Sequence, residues 1–200
     1  MDDFTTFFLL LISITILYLY LETKALDVTY VKSNVDNKKY LVRILKDKQE
    51  AADLLANIKN NLVKLIEYLD TEKNNKNYSK EYKEGIIRIK KNFNPDKMYE
   101  STPNNKYTSY SINKGEKLIF CIREKDITNK LIDINTMMFV AIHELAHLMS
   151  VSIGHTEEFW QNMKFLLIES IKSKIYVYEN YRKDPVSYCG TQITDSPYIK

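Results

Sequence analysis

The stretch AIHELAHLMSVSIGHTEEFW, residues 141–160, contains all three histidines of the chain, His143, His147 and His155. His143 and His147 are four positions apart, so on a helix both imidazoles project from one face and can hold a single tetrahedral zinc ion. Glu144 is turned away from that pair but can lean over a water molecule on the metal, which is the HExxH arrangement. The spacing therefore predicts a helix that carries a Zn²⁺ site together with a general base.

A catalytic zinc ion normally has three protein ligands and one water molecule. His155 follows Gly154, and a glycine can reverse the chain where a helix ends and return the next side chain to the metal. Glu169 is the competing third ligand. It lies on the next predicted helix, at the sequence separation used by zinc enzymes that have a glutamate ligand. Glu157 and Glu158 fit better as acids in the first turn of that helix, where negative charge is favourable. We expect His155 to complete the ligand set.

The remaining sequence predicts one body of mixed helices and strands. Asn113 and Gly115 supply the left-handed conformations of a tight hairpin, and Asp133 or Asn135 can cap the helix that carries the paired histidines. The predicted elements are strands in 27–33 and 38–45 around a turn at 34–37, helices over 48–69 and 80–91, a turn-rich connection over 94–105, a hairpin over 107–123, and helices from 136 and over 156–175.

The N-terminus differs in kind from this body. Residues 4–21 contain no charge, and as a helix they would reach about 27 Å, just enough for the hydrocarbon core of a bilayer. A buried core helix is rarely apolar all round. A cleaved signal peptide is disfavoured by the acidic start and by the absence of a small-residue cleavage site. The sequence predicts a transmembrane anchor over 1–24 and a catalytic body over 25–200.

Lysine and arginine near the anchor predict its orientation. No basic residue precedes residue 4, whereas five lie between 24 and 43. The positive-inside rule then makes the chain a single-pass membrane protein with its body on the cytosolic side, or inside a virion. The sequon Asn77-Tyr78-Ser79 would be glycosylated only if this orientation is wrong.

Composition excludes some classes of partner. The net charge of +3 is mild and the basic residues are spread along the chain, so no nucleic-acid partner is expected. Cys121 and Cys189 could form at most one disulfide, and we expect two separate reduced thiols. Oligomeric state cannot be inferred from this sequence.

The histidine region resembles a known group of proteins. HELAH followed by GHTEEFW is similar to the WLM and SprT-like metalloproteases, whose pattern is HExxH, a short connection, then GH with an aromatic residue about four positions later. The upstream stretch over 118–147 looks like a WLM domain, and 40–69 and 184–197 look like anchored WLM-like proteins of large DNA viruses of eukaryotes. The resemblance covers about residues 28–197.

The resemblance implies a zincin-like α+β fold, in which a small antiparallel sheet packs on helices that include the active-site helix. It implies His143, His147 and His155 as zinc ligands, Glu144 as general base, and a protein or peptide as substrate. No second zinc module or recruitment motif is visible, so the DNA–protein crosslink repair of some members is not carried over. The alternative is a catalytically idle zinc-binding scaffold of a membrane or virion.

Three further elements of such a site have candidates in the sequence. In many zinc proteases an edge strand holds the extended peptide, and residues 117–123 are the candidate strand. Tyr178, Tyr181 or Tyr188 could stabilise the oxyanion by a hydrogen bond. The tail around Cys189 either closes over the site or forms a plain C-terminal loop.

Overall fold

The computed structural model describes residues 3–24 and 28–198. These residues form five α-helices, a five-stranded sheet and a separate two-stranded hairpin. In chain order the elements are α1 (Asp3–Lys24), β1 (Val28–Lys32), β2 (Lys39–Arg43), α2 (Lys48–Asn75), α3 (Lys80–Asn92), β3 (Met98–Glu100), β4 (Tyr110–Ile112), β5 (Lys117–Phe120), α4 (Ile134–Met149), α5 (Glu157–Lys172), β6 (Val186–Tyr188) and β7 (Thr191–Ile193).

The segment predicted as a membrane anchor forms α1. Over the described part of the chain, no helix is both long and apolar enough to cross a membrane. The predicted transmembrane helix is therefore not confirmed. The boundary proposed between anchor and body, at residues 24 and 25, adjoins residues 25–27, which lie outside the described part.

The sheet has the order β1-β2-β3-β5-β4 and is mixed rather than antiparallel. The outer pairs β1–β2 and β4–β5 are antiparallel hairpins, as predicted, whereas β3 pairs in parallel with both β2 and β5. The expectation of an antiparallel sheet was wrong at its centre. The reason is the connection from β2 to β3, which runs through α2 and α3 and so returns the chain in the same direction, as in other helical crossovers.

The predicted hairpin turn determines which strand lies at the edge. Asn113, Lys114 and Gly115 all have positive φ, at 48°, 51° and 109°, so the chain folds back and Tyr110 pairs with Ile119. The returning strand β5 then inserts between β3 and β4. The edge-strand candidate over 117–123 was therefore wrong, because β5 is interior and β4 is the edge.

Helix α4 lies at the centre of the body. Of its sixteen residues, twelve are buried, and it packs against α2, α3 and α5. Its apolar sequence explains this position, since a helix that is hydrophobic on most sides must be covered by neighbours. Helix α4 is thus held from several sides.

Helix α2 continues six residues beyond the predicted end at Leu69, because Glu72 and Lys73 are good helix formers.

The two cysteines are joined, contrary to the prediction of separate reduced thiols. Cys121 directly follows β5, and Cys189 lies in the turn between β6 and β7. Their Cα atoms are 6.1 Å apart across 68 positions of sequence, which is within the usual range for a disulfide. The bond ties the C-terminal hairpin to the end of the central sheet. No local pattern in the sequence indicates that these two positions meet.

Candidate metal centre

A side-chain cap fixes the start of helix α4, which carries the HExxH residues. The carboxylate of Asp133 accepts the backbone N–H of Thr136 at 2.9 Å, which is a typical N-cap. The helix begins at Ile134 and ends at Met149. Of the two predicted caps the structure uses Asp133, whereas Asn135 lies inside the helix, which begins two residues before the expected start near Thr136. His143 and His147 lie one turn apart on a single face.

The chain reverses after α4 and returns His155 to that face. Gly154 has φ +83° with open space around its Cα, so the backbone conformation itself favours glycine here. Glu158 accepts the backbone N–H groups of Val151 and Ser152 at 2.8 and 2.9 Å. These bonds fix the loop that carries His155.

A lysine from the opposite hairpin also holds this loop. Lys114 Nζ donates to the carbonyl oxygens of Ser150 and Val151 at 3.1 and 2.6 Å. Lys114 lies in the turn between β4 and β5, so the sheet and the loop are directly linked. The reversal predicted at Gly154 is present, and its supports come from two different elements.

The three imidazoles converge on one point. His143 Nε2 is 3.3 Å from His147 Nε2 and 3.0 Å from His155 Nε2. One ligand atom from each of the three residues lies within 4.8 Å of the others. Nitrogen atoms that approach so closely fit the ligand set of a single zinc ion. The structure brings together all three histidines that the sequence singled out, and their role as ligands stays a prediction.

Phe159 supports the cluster from behind. Its ring is fully buried and lies 4.3 Å from the His147 ring, 4.8 Å from His143 and 4.7 Å from His155, measured between centroids. Trp160 contacts the outer side of His155 at 5.6 Å. Phe159 and Trp160 are the last two residues of the GHTEEFW stretch. The aromatic residues of this stretch therefore pack against the histidine rings and orient them.

The electrostatic surroundings keep two of the imidazoles neutral. Burial, together with the neighbouring His147 and His155, lowers the pKa of His143 to about 3. Burial likewise lowers the pKa of His147 to about 4, with His155 and Lys114 contributing. A neutral imidazole has a lone pair free for a metal ion, whereas a protonated one does not. Both residues are therefore ready to bind a cation at neutral pH.

Within residues 3–24 and 28–198, Glu144 differs from the other buried glutamates in having no cationic partner. It is 4% exposed, and burial alone raises its pKa to about 8. Glu100 and Glu169 are equally buried, but Glu100 is paired with Arg123 at 2.7 Å and Glu169 with Lys172 at 2.7 Å. A buried carboxylate without a partner is unfavourable, and a cation held by the three histidines would lie beside this one.

The competing third ligand, Glu169, is engaged elsewhere. Its carboxylate accepts hydrogen bonds from Tyr78, Lys76 and Lys172 at 2.6, 3.0 and 2.7 Å, and Tyr68 is a further contact. Burial raises its pKa, but these hydrogen bonds and charges outweigh the burial and lower it to about 2. Glu169 is thus a structural anion between α2, the α2–α3 loop and α5.

The histidine cluster opens into a cavity of about 810 Å³. Its walls comprise α4, the loop before α5, the edge strand β4 with the residues that precede it, and the C-terminal hairpin. Tyr188 and Ile193 are the contributions of that hairpin, so the tail borders the site instead of forming a remote loop. Tyr181 is buried against Tyr176 with their hydroxyls 3.2 Å apart, and it does not line the cavity.

Sequence reasoning missed several residues that shape this site. Ser109, Lys114 and Phe159 had no assigned role, and β3 was taken for part of a connection. Phe159 had the one available signal, because an aromatic lies near the third histidine in the resembled pattern. Ser109 and Lys114 act across the fold and have no local signature.

The fold and the cluster define an α+β domain with three converging histidines on and beside an HExxH helix. A model of the WLM domain matches residues 58–197, which is more than half of the chain. The chain therefore belongs to the WLM-domain family, and the predicted resemblance is confirmed. This family is associated with zinc and with metallopeptidase-like activity.

Relatives are found among viral proteins. The chain is 38% identical over 187 residues to an uncharacterised protein of Acanthamoeba polyphaga mimivirus, covering 93% of each. It is 32% identical over 82 residues to an uncharacterised protein of Invertebrate iridescent virus 6, covering 40% of this chain and 44% of that one. No solved structure matches. These relatives agree with the expected viral context.

Proposed function

We propose that this chain is a zinc-dependent endopeptidase with a zincin-like catalytic body, and that His143, His147 and His155 hold the metal. The observation that carries the proposal is the convergence of three imidazole nitrogens within 4.8 Å beside a buried glutamate on the same cavity wall. Three histidines leave one coordination position open, which is the property of catalytic rather than structural zinc sites. When bound, zinc would supply an acidified water molecule and polarise the scissile carbonyl.

The residues of the chain supply the other parts of the reaction. Glu144 takes a proton from the attacking water and passes it to the leaving amine. Phe159 and Trp160 hold the imidazoles in orientation. The edge strand β4 pairs with β5 on one side, and its Tyr110 and Ser111 line the cavity. An extended peptide can therefore add to its outer side through backbone hydrogen bonds.

The alternative is a zinc-binding scaffold without activity. A structural site would fill the fourth position with a ligand and would have no use for a buried carboxylate beside the metal. Glu144 is therefore the observation that favours the enzyme over the scaffold. Substitution of Glu144 therefore distinguishes the two functions, because it removes activity from an enzyme and has no activity to remove from a scaffold.

The test uses the full chain in mild detergent, loaded with one equivalent of zinc, with casein as substrate. We expect cleavage by the wild type and a loss of at least about 100-fold in Glu144→Gln, the range for a general base. Glu157→Gln is the matched control, because Glu157 is an exposed glutamate in the first turn of α5. Zinc binding without cleavage by any form would support the scaffold instead.

We also propose that residues 4–21 hold the domain at a membrane, with its body on the cytosolic or intravirion side. The support is the exposure of apolar side chains along α1, among them Phe4, Leu10 and Ile16, which is unfavourable in water. Of the two compartments the disulfide favours the virion interior, since disulfides are rare in the cytosol.

Two measurements test this location. Asn77 is exposed, and its glycosylation in a eukaryotic host would contradict the orientation. Release of the full chain from membranes at alkaline pH without detergent would contradict the anchor.

A further inference from the structure

A closed ring of contacts fixes the phenol of Tyr188. The Tyr188 hydroxyl lies 2.5 Å from Ser109 Oγ, and Ser109 Oγ accepts the backbone N–H of Cys121 at 3.1 Å. Cys121 is in turn bonded to Cys189, the residue that follows Tyr188. One covalent link and two hydrogen bonds therefore close a circle around this side chain.

This circle of contacts borders the same cavity as the histidine cluster. Tyr188 and Ser109 line the same cavity as His143 and Glu144, and the charge of Glu144 acts on the phenol. Tyr188 is only 5% exposed, so its side chain is largely shielded from bulk water. Burial raises the pKa of Tyr188 above its ordinary value, and Glu144 raises it further against the opposing effect of Ser109. The phenol therefore carries its proton at neutral pH.

The geometry leaves one hydrogen available to a substrate. Ser109 and Tyr188 together carry two hydroxyl hydrogens, and the bond between them uses one. When Ser109 donates to the Tyr188 oxygen, the phenolic hydrogen is free to point into the cavity. Ser109 can donate in this way, since the Cys121 N–H occupies one lone pair of its oxygen and leaves its hydroxyl hydrogen free. A hydroxyl fixed in this manner needs little reorganisation to bind a developing negative charge.

We propose that Tyr188 is a further catalytic residue, which donates a hydrogen bond to the oxyanion of the tetrahedral intermediate. The proposal rests on the peptidase function above. As the water oxygen bonds to the carbonyl carbon, Glu144 takes the water proton and the C=O π electrons move to the carbonyl oxygen. The Tyr188 O–H donates to that oxygen and keeps its proton. On collapse the C–N bond breaks, the C=O bond re-forms and Glu144 protonates the amine.

The other candidate tyrosines do not meet this requirement. Tyr181 is buried beside Tyr176, and the ring of Tyr178 packs on Tyr198 at 4.8 Å; neither lines the cavity. Ser109 and the disulfide are positioning groups, since they act through Tyr188. Reduction of the disulfide should therefore lower turnover and leave the histidine cluster intact, because no ligand lies in the C-terminal hairpin.

The first test compares Tyr188→Phe with wild type and with Tyr178→Phe, as full chains in detergent with measured zinc content. We expect Tyr188→Phe to lose about 100-fold or more in kcat, the effect of one oxyanion donor, with little change in KM or zinc. Tyr178→Phe should equal the wild type. An unchanged kcat in Tyr188→Phe would overturn the proposal.

A binding measurement separates this inference from the proposed function. A phosphinic peptide mimics the tetrahedral intermediate, whereas the corresponding product peptide does not. Tyr188→Phe should weaken the phosphinic peptide by a factor similar to the loss in kcat and leave the product peptide unchanged. If the wild type cleaves nothing, the peptidase function fails; if it cleaves and Tyr188→Phe binds both peptides as the wild type does, only the role of Tyr188 fails.

The positioning role of the disulfide has its own test. Cys121→Ala/Cys189→Ala, or the wild type reduced with a phosphine, should lose kcat in the same direction as Tyr188→Phe and retain one zinc. Reoxidation of the reduced wild type should restore kcat. This recovery distinguishes loss of the disulfide from irreversible misfolding, which the double variant alone could not do. Full activity of the reduced, zinc-loaded chain would overturn this role.

Discussion

The buried carboxylate of Glu144 makes the stability of the metal-free protein depend on pH in a definite direction. Its pKa is about 8 in the folded chain against 4.5 for an ordinary glutamate. Between these values the folded state binds more protons than the unfolded state, so the free energy of unfolding falls as pH rises. The sign is opposite to that of a salt-bridged carboxylate.

The magnitude can be worked out for the window from pH 6.5 to pH 8. The folded pKa values of His143 and His147 are about 3 and about 4, whereas the same histidines lose their remaining protons within this window when the chain is unfolded. This histidine contribution is common to the wild type and Glu144→Gln and cancels in the difference between them. One pKa unit corresponds to about 1.4 kcal/mol. Between pH 6.5 and 8 the wild type should therefore lose roughly 1–2 kcal/mol through Glu144, after allowance for the partial ionisation near its folded pKa.

The assay is urea unfolding of the metal-free, disulfide-bonded chain at pH 6.5 and pH 8. Glu144→Gln removes the titrating group, so the change in its free energy of unfolding over this window should be more favourable than that of the wild type by roughly 1–2 kcal/mol. Glu157→Gln should follow the wild type, because Glu157 is exposed. Equal losses in wild type and Glu144→Gln would refute the reasoning that burial without a cation governs this carboxyl group.

Three further predictions follow from the same contacts. His155→Ala should lose most of its zinc, measured by metal analysis, whereas Glu169→Gln should keep one equivalent and lose only stability; the reverse result would make Glu169 the third ligand. Glu100→Gln should lower the free energy of unfolding by about 3 kcal/mol, since it leaves the buried guanidinium of Arg123 with one carboxylate fewer. Reducing the disulfide should lower the free energy of unfolding by about 2–4 kcal/mol. An unchanged urea midpoint in Glu100→Gln or in the reduced chain would contradict the corresponding prediction.

The parts of the site that depend on local geometry could be predicted from the sequence. Helical pitch places His143 and His147 on one face, and the positive φ that Gly154 adopts returns His155 to them. Asn113 and Gly115 likewise identified the hairpin turn, and Asp133 the start of α4. In each case a few neighbouring residues determine the backbone, so no knowledge of distant segments was needed.

The parts that depend on long-range pairing could not be predicted in this way. Cys121 and Cys189 meet across 68 positions, and the edge position of β4 follows from the pairing of β5 with β3. The strand β3 has three residues, too few for a periodic signal. Tyr188 could be chosen among the tyrosines only once the hairpin that carries it was seen beside Glu144.

The most direct measurement is the crystal structure of the zinc-loaded chain, with anomalous diffraction at the zinc edge. We expect one zinc ion bound by the Nε2 atoms of His143, His147 and His155 at about 2.0–2.1 Å, with the fourth position open to water and facing Glu144. Zinc bound by four protein ligands, or located away from the three histidines, would contradict the proposed catalytic site.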